Sequence, residues 1–158
     1  MMELDFGGST KGLGSPPPIE AVLSWTKPPW KPRVSGRMAF WLGPLAGGIV
    51  AFVNLRRLGA RRKANLTLLS TVATLTLVLV ILIYVIPYYL LFLGKFIGLG
   101  IEVAGFKIFP SIQSKDFETW QVNHPGTSTA NGWKAIGWGI LGLLSFLALI
   151  VLVAMLGV

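Results

Sequence analysis

Three ionisable side chains, Asp116, Glu118 and His124, are the residues best suited to chemistry, since brought to one pocket they could move a proton or hold a metal. All three fall in one polar stretch, Pro110 to Trp133, so the same residues also read as a solvated or interfacial loop. His124 is the only histidine, which excludes a multi-histidine metal site within one chain. A single imidazole suffices as an axial ligand to haem or a chlorin, but His124 is followed at once by Pro125-Gly126, a poor setting for a buried pigment. There is no cysteine, hence no disulfide, thiolate metal site or thiol nucleophile. No nucleophile with a matched base and no carboxylate pair is visible. The glycines at 43, 47 and 48 lack the Lys-Ser/Thr partner of a phosphate loop. The expectation is therefore a protein without catalytic residues, cofactor or metal, with His124 as the weak exception.

The elements that would carry such groups are set by composition. Only 13% of the 158 residues are charged, against about 25% in soluble domains, and the mean hydropathy is +0.68. Met38 to Leu55, Ala64 to Gly94 and Ala135 to Val158 contain no Asp, Glu, Lys, Arg or His. Uncharged windows of about 20 residues are what a helix needs to cross a bilayer. The net charge of +8 sits beside these windows, where basic residues set topology and meet anionic headgroups, so membrane lipids rather than nucleic acid are the expected partner.

Residues 1–37 are rich in Gly, Pro and Ser, and Pro16-Pro17-Pro18, Pro28-Pro29 and Pro32 forbid a continuous helix. This predicts an extended N-terminal arm, with no apolar leader in Met1 to Ser15 and with Trp25 and Trp30 as candidate interface anchors. The first apolar segment, 38–55, contains Gly43-Pro44-Leu45-Ala46-Gly47-Gly48; Gly43 and Gly47 are four apart and, on an unbroken helix, would share one face with Gly48 nearby as a close-packing surface. Arg56, Arg57, Arg61, Arg62 and Lys63 follow without an acid between them, which predicts a cytoplasmic loop. The span 64–86 carries Thr67, Ser70, Thr71 and Thr74 as a hydroxyl stripe, read as a helix-packing surface, with a transport path as the sharper alternative. Pro87 interrupts the pattern, and 88–109 is either a third span or an interfacial helix, apolar except for Lys95, Glu102 and Lys107. The last span, 135–158, begins behind the aromatic anchors Trp133 and Trp138 and carries Gly139, Gly142 and Ser145 on adjoining turns.

Two stretches are similar to sequences in a group of small bacterial membrane proteins: Phe40 to Gly48 leading into Asn54-Leu55-Arg56-Arg57-Leu58-Gly59, and Gln121, His124, Gly126 with Trp133 to Gly137. The resemblance covers roughly residues 38 to 145 and implies bacterial origin and no known activity. It also implies four membrane segments, both termini outside and the His124 loop cytoplasmic.

The fold expected is all-α, an integral membrane bundle of three to four segments (38–55, 64–86, 88–109 and 135–158) behind the extended arm. The leading functional expectation is a non-catalytic accessory subunit of a larger bacterial inner-membrane complex, an energy-converting (photosynthetic or respiratory) one, whose small-residue faces pack on larger subunits. The alternative is a small homo-oligomeric transporter or channel component in which the Gly43 to Gly48 break forms a re-entrant element. A third possibility is a membrane enzyme in which Asp116, Glu118 and His124 converge.

Overall fold

The computed structural model describes residues 27–85 and 93–155, and every regular element among them is helical. In chain order these are α1 (Arg33–Leu42), α2 (Pro44–Arg57), α3 (Arg61–Val80, continued by a π-helical turn Ile81–Val85), α4 (Leu93–Asn123) and α5 (Trp133–Met155). Three are long and apolar enough to cross a membrane: Arg61–Tyr84, Gly94–Asn123 and Trp133–Met155. Their outer faces present Leu66, Leu69 and Leu77, Phe96 and Leu99, and Leu141, Leu144 and Leu147. Helices this apolar on exposed faces belong in lipid.

The segment 38–55, expected as one membrane span, is broken into two short helices. It divides between α1 and α2, of 10 and 14 residues, or about 15 and 21 Å against a hydrocarbon core of about 30 Å. The break is written at Gly43-Pro44: Pro44 disfavours a helical residue before it and opens α2 with its fixed φ, and Gly43 turns at φ 90°, ψ 163°, a conformation almost confined to glycine. The chain then folds back on itself. Ala39 lies against Gly47, and Trp30 pairs with Asn54 further down, so α1 and α2 form an antiparallel hairpin in register about Gly43. Gly43 and Gly47 consequently share no helix face; Gly43 is the apex, with nothing within 4 Å of where its Cβ would be.

This hairpin is the centre of the molecule. α2 packs on α1, α3, α4 and α5, and Leu45, Ala46, Val50, Ala51 and Leu55 are buried. Small residues allow the approach: a Cβ on Gly48 would meet Thr71 of α3 at 2.8 Å, one on Gly142 would meet the Ala46 Cα at 2.5 Å, and one on Gly139 would meet Leu42 at 2.8 Å. Pro110, inside α4, cannot donate to the Phe106 carbonyl, and α1 presses Gly36 against both residues, 2.6 Å from that oxygen to a built Cβ. The small-residue faces of α2 and α5, expected to pack on larger subunits, thus pack on neighbouring helices of the chain itself.

The basic stretch ends α2 in a glycine cap. Gly59 takes φ 79°, Ala60 N–H donates to Leu55 O at 2.9 Å and Gly59 N–H to Arg56 O at 3.2 Å. From there α3 rises, α4 returns and α5 rises again. Lys63 bonds Asp116, and Tyr84 Oη donates to Val153 O at 2.7 Å at the other end. The polar stretch after Pro110, expected to be a loop, continues as helix to Asn123, with His124 just past its end. Arg57 donates to Pro28 O, so residues 27–32 lie on the same side as the basic loop and the His124 turn, contrary to the outside N-terminal side implied by four crossings. Among the described residues helix begins at Arg33, inside the 1–37 stretch expected to be an extended arm. Trp25 and the Pro87 interruption lie outside the described residues.

Candidate functional site

Two places in the fold concentrate polar groups in an apolar protein, one at the base of the hairpin and one at its apex. At the base, Trp30 is fully buried against Val50 and Ala135 instead of anchoring in the headgroups as expected. Asn54 clasps its backbone, accepting from Trp30 N–H at 2.7 Å and donating to Trp30 O at 3.0 Å. The same Asn54 amide donates to Gln113 Oε1 at 2.7 Å, and Gln113 donates to Ser35 Oγ and Phe109 O, each at 2.7 Å. Ser35, Asn54 and Gln113 are all at most 1% exposed, and among the described residues no buried side-chain polar atom lacks a partner.

Around this network, Trp30 Nε1–H donates to Asn131 O at 3.1 Å, Ala130 N–H donates to Pro29 O, and the Arg57 guanidinium lies 3.8 Å from the Trp30 ring centre. Desolvation by burial lowers the Arg57 pKa from its ordinary value. The base is thus a closed polar knot joining the arm, α1, α2, α4 and the turn before α5. Being saturated with internal bonds, it holds the hairpin rather than a ligand.

The apex differs. A part-open cavity of about 290 Å³ lies above it, lined by Trp41 and Leu42, Gly43 and Pro44, Leu75 and Leu79, Ile101 and Glu102, and Leu143 and Phe146, with every helix contributing. Leu75 stands eleven residues above Ala64, or about 17 Å along α3, roughly half the thickness of a hydrocarbon core. Among the described residues, Glu102 is the one charged side chain in the cavity wall. It makes no hydrogen bond or ion pair among the described residues, and Lys95 and Lys107 on the same helix are exposed. An acid at this depth is costly and by default functional. The last carbonyls of α1 and first amides of α2 also meet here, and irregular backbone at mid-membrane depth requires protein or a polar cavity around it.

A second cavity of about 290 Å³ runs down the outside between α3 and α4, sharing Pro44, Leu75 and Ile101 with the first. Its wall carries the expected hydroxyl stripe, Thr67, Ser70, Thr71 and Thr74. Thr67 is buried; Ser70 and Thr71 both donate to Thr67 O, and Thr74 is exposed. On α5, Gly139 and Gly142 face the hairpin, while Ser145 is exposed and bonds Leu141 O of its own helix. Trp133 and Trp138 are exposed at the start of α5, 76% and 41%. Arg56 lies over Phe52, and Arg61, Arg62 and Lys63 are exposed at the base.

The structure does not bring Asp116, Glu118 and His124 to one pocket. Asp116 takes the Lys63 ammonium at 2.9 Å, Glu118 borders a surface groove with Pro32, Arg33 and Gln121, and the His124 ring stacks on Trp120 with Nδ1 3.0 Å from Trp120 O. No group of three or more His, Cys, Asp or Glu suited to a metal occurs among the described residues. Glu102, passed over in the sequence as a polar exception in an apolar run, is the residue the fold places at the centre. The signal was there, an acid mid-way along a possible span, but it was legible only once that segment proved to be one helix long and apolar enough to cross.

No family model, curated protein or solved structure matches the chain. Its function is therefore argued from this geometry.

Proposed function

We propose that the chain is a small transporter or channel component of the bacterial cytoplasmic membrane, working as a homo-oligomer and without a catalytic step, with the Arg56–Lys63 loop in the cytoplasm. The observation that carries the reading is the re-entrant hairpin: α1 and α2 fill one half of the membrane depth between three spans and stop at a mid-membrane cavity with an acid in its wall. A hairpin of this kind divides a path into an open half and a plugged half, the arrangement that ligand sites at the bilayer midplane use. The base knot supports it by fixing the plug. The basic residues Arg56, Arg57, Arg61, Arg62 and Lys63 on the base side orient it by charge.

A second reading, the accessory subunit of a larger complex, is favoured by the hydroxyl-lined groove between α3 and α4, which would seat a partner's membrane helix beside Ser70 and Thr74. Gentle extraction of the tagged protein followed by native mass spectrometry separates the two. A homo-oligomer alone supports the transporter reading. Stoichiometric larger subunits overturn it and establish the second.

A further inference from the structure

The chemistry of the apex cavity names a class of ligand, an inference that rests on the transporter reading. We propose that the cavity binds a hydrophobic organic cation, held by the Glu102 carboxylate and the apolar walls around it.

The walls decide against a hard metal ion. Such ions take about six to eight oxygen ligands, whereas the side chains here are Trp41, Leu42, Leu75, Val78, Leu79, Leu82, with Ile101, Leu143 and Phe146, and one carboxylate. A bulky cation with its charge spread over carbon-covered surface loses little hydration on entry and gains from Trp41 and Phe146, whose ring faces attract positive charge. The single acid then supplies the attraction that distinguishes it from a neutral molecule of the same shape. The volume of about 290 Å³ is at the lower end of small-molecule pockets, about 300 to 1,000 Å³.

Access points the same way. The groove between α3 and α4 shares the wall residues Pro44, Leu75 and Ile101 with the cavity, and its outer residues Thr74, Ala104 and Ile108 are exposed. Trp41 in the cavity wall is itself 77% exposed, so a ligand dissolved in the bilayer approaches Glu102 from the lipid side without crossing the base knot.

The test uses the full chain in neutral phosphatidylcholine nanodiscs, with tetraphenylphosphonium as the probe and triphenylphosphine oxide as its neutral counterpart. Saturable binding of the phosphonium near one equivalent per chain is expected, with no saturable binding of the oxide. Glu102→Gln should weaken phosphonium binding at least tenfold. Leu79→Trp, which keeps the acid and fills the cavity, should weaken it as well, so the outcome does not depend on one variant folding. Absence of saturable phosphonium binding, or equal binding by both variants, overturns the proposal. Native mass spectrometry on the same nanodisc sample reports the oligomer, so a homo-oligomer that does not bind sinks the ligand and leaves the transporter reading standing. A binding chain found with larger partners does the reverse.

Discussion

Asn54→Ala probes the feature on which the hairpin depends. The Asn54 side chain is 1% exposed and serves three buried groups, Trp30 N–H, Trp30 O and Gln113 Oε1, at 2.7, 3.0 and 2.7 Å. Removing it leaves three buried polar atoms short of a partner, each costing about 1 to 3 kcal/mol. Gln113 and Trp30 can relax toward other acceptors and a water can enter, so the lower end applies, about 3 kcal/mol. For a chain of this size about 1 kcal/mol moves Tm by roughly 2 to 4 °C, giving a fall of about 6 to 12 °C. Differential scanning fluorimetry in one detergent measures it, with intrinsic tryptophan emission moving to the red as Trp30 becomes wet. The control is Lys63→Ala, which removes the 2.9 Å pair to Asp116 where the lysine side chain is 52% exposed. A surface pair of that kind is worth about 0 to 1 kcal/mol. A Tm shift for Asn54→Ala no larger than that for Lys63→Ala would refute the reasoning, because the base would then not be held by its buried network.

Other perturbations separate conformational from steric roles. Gly43→Ala and Gly43→Leu should destabilise equally, by about 1 to 3 kcal/mol, because the φ of 90° is strained for both and open space receives either side chain; thermal denaturation of the pair checks it. Gly142 differs, since a Cβ already lies 2.5 Å from the Ala46 Cα: Gly142→Leu should displace the hairpin and lower Tm well beyond Gly142→Ala. Arg57→Gln should cost about 1 to 2 kcal/mol through loss of the contact over Trp30 and the bond to Pro28 O, and should increase acrylamide quenching of tryptophan.

The sequence carried the membrane class, the two richest spans and the charge asymmetry, because each is a property of a contiguous window. Ala64 onward and Ala135 onward are apolar over a bilayer's thickness, and five cations sit together at 56–63. What a window does not contain is direction. Gly43-Pro44 announces a break, but whether the chain kinks onward or doubles back is settled by Trp30, Ser35 and Gln113 meeting around Asn54, with Gln113 78 residues from Ser35. In sequence those four look like an arm aromatic, two isolated polar residues and a neighbour of the basic loop.

The same missing long-range information explains the other differences. Gly139 and Gly142 read as surfaces awaiting a partner until Met38, Leu42 and Ala46 are seen to occupy them. Pro110 suggested a boundary, yet α4 continues through it because Gly36 of α1 covers the freed Phe106 carbonyl and Gln113 donates to Phe109 O in the next turn. Glu102 gained its importance only from the hairpin apex that stops beside it.

The re-entrant hairpin is the claim from which the rest follows, and the absence of native cysteine makes it directly testable. Single cysteines at Lys31, Arg62, Thr127 and Met155, all exposed, can be labelled in oriented membrane vesicles with a membrane-impermeant maleimide. The hairpin predicts that positions 31, 62 and 127 label from one side and position 155 from the other. Labelling of positions 31 and 62 from opposite sides would mean that residues 38–55 cross the membrane, and would contradict the account.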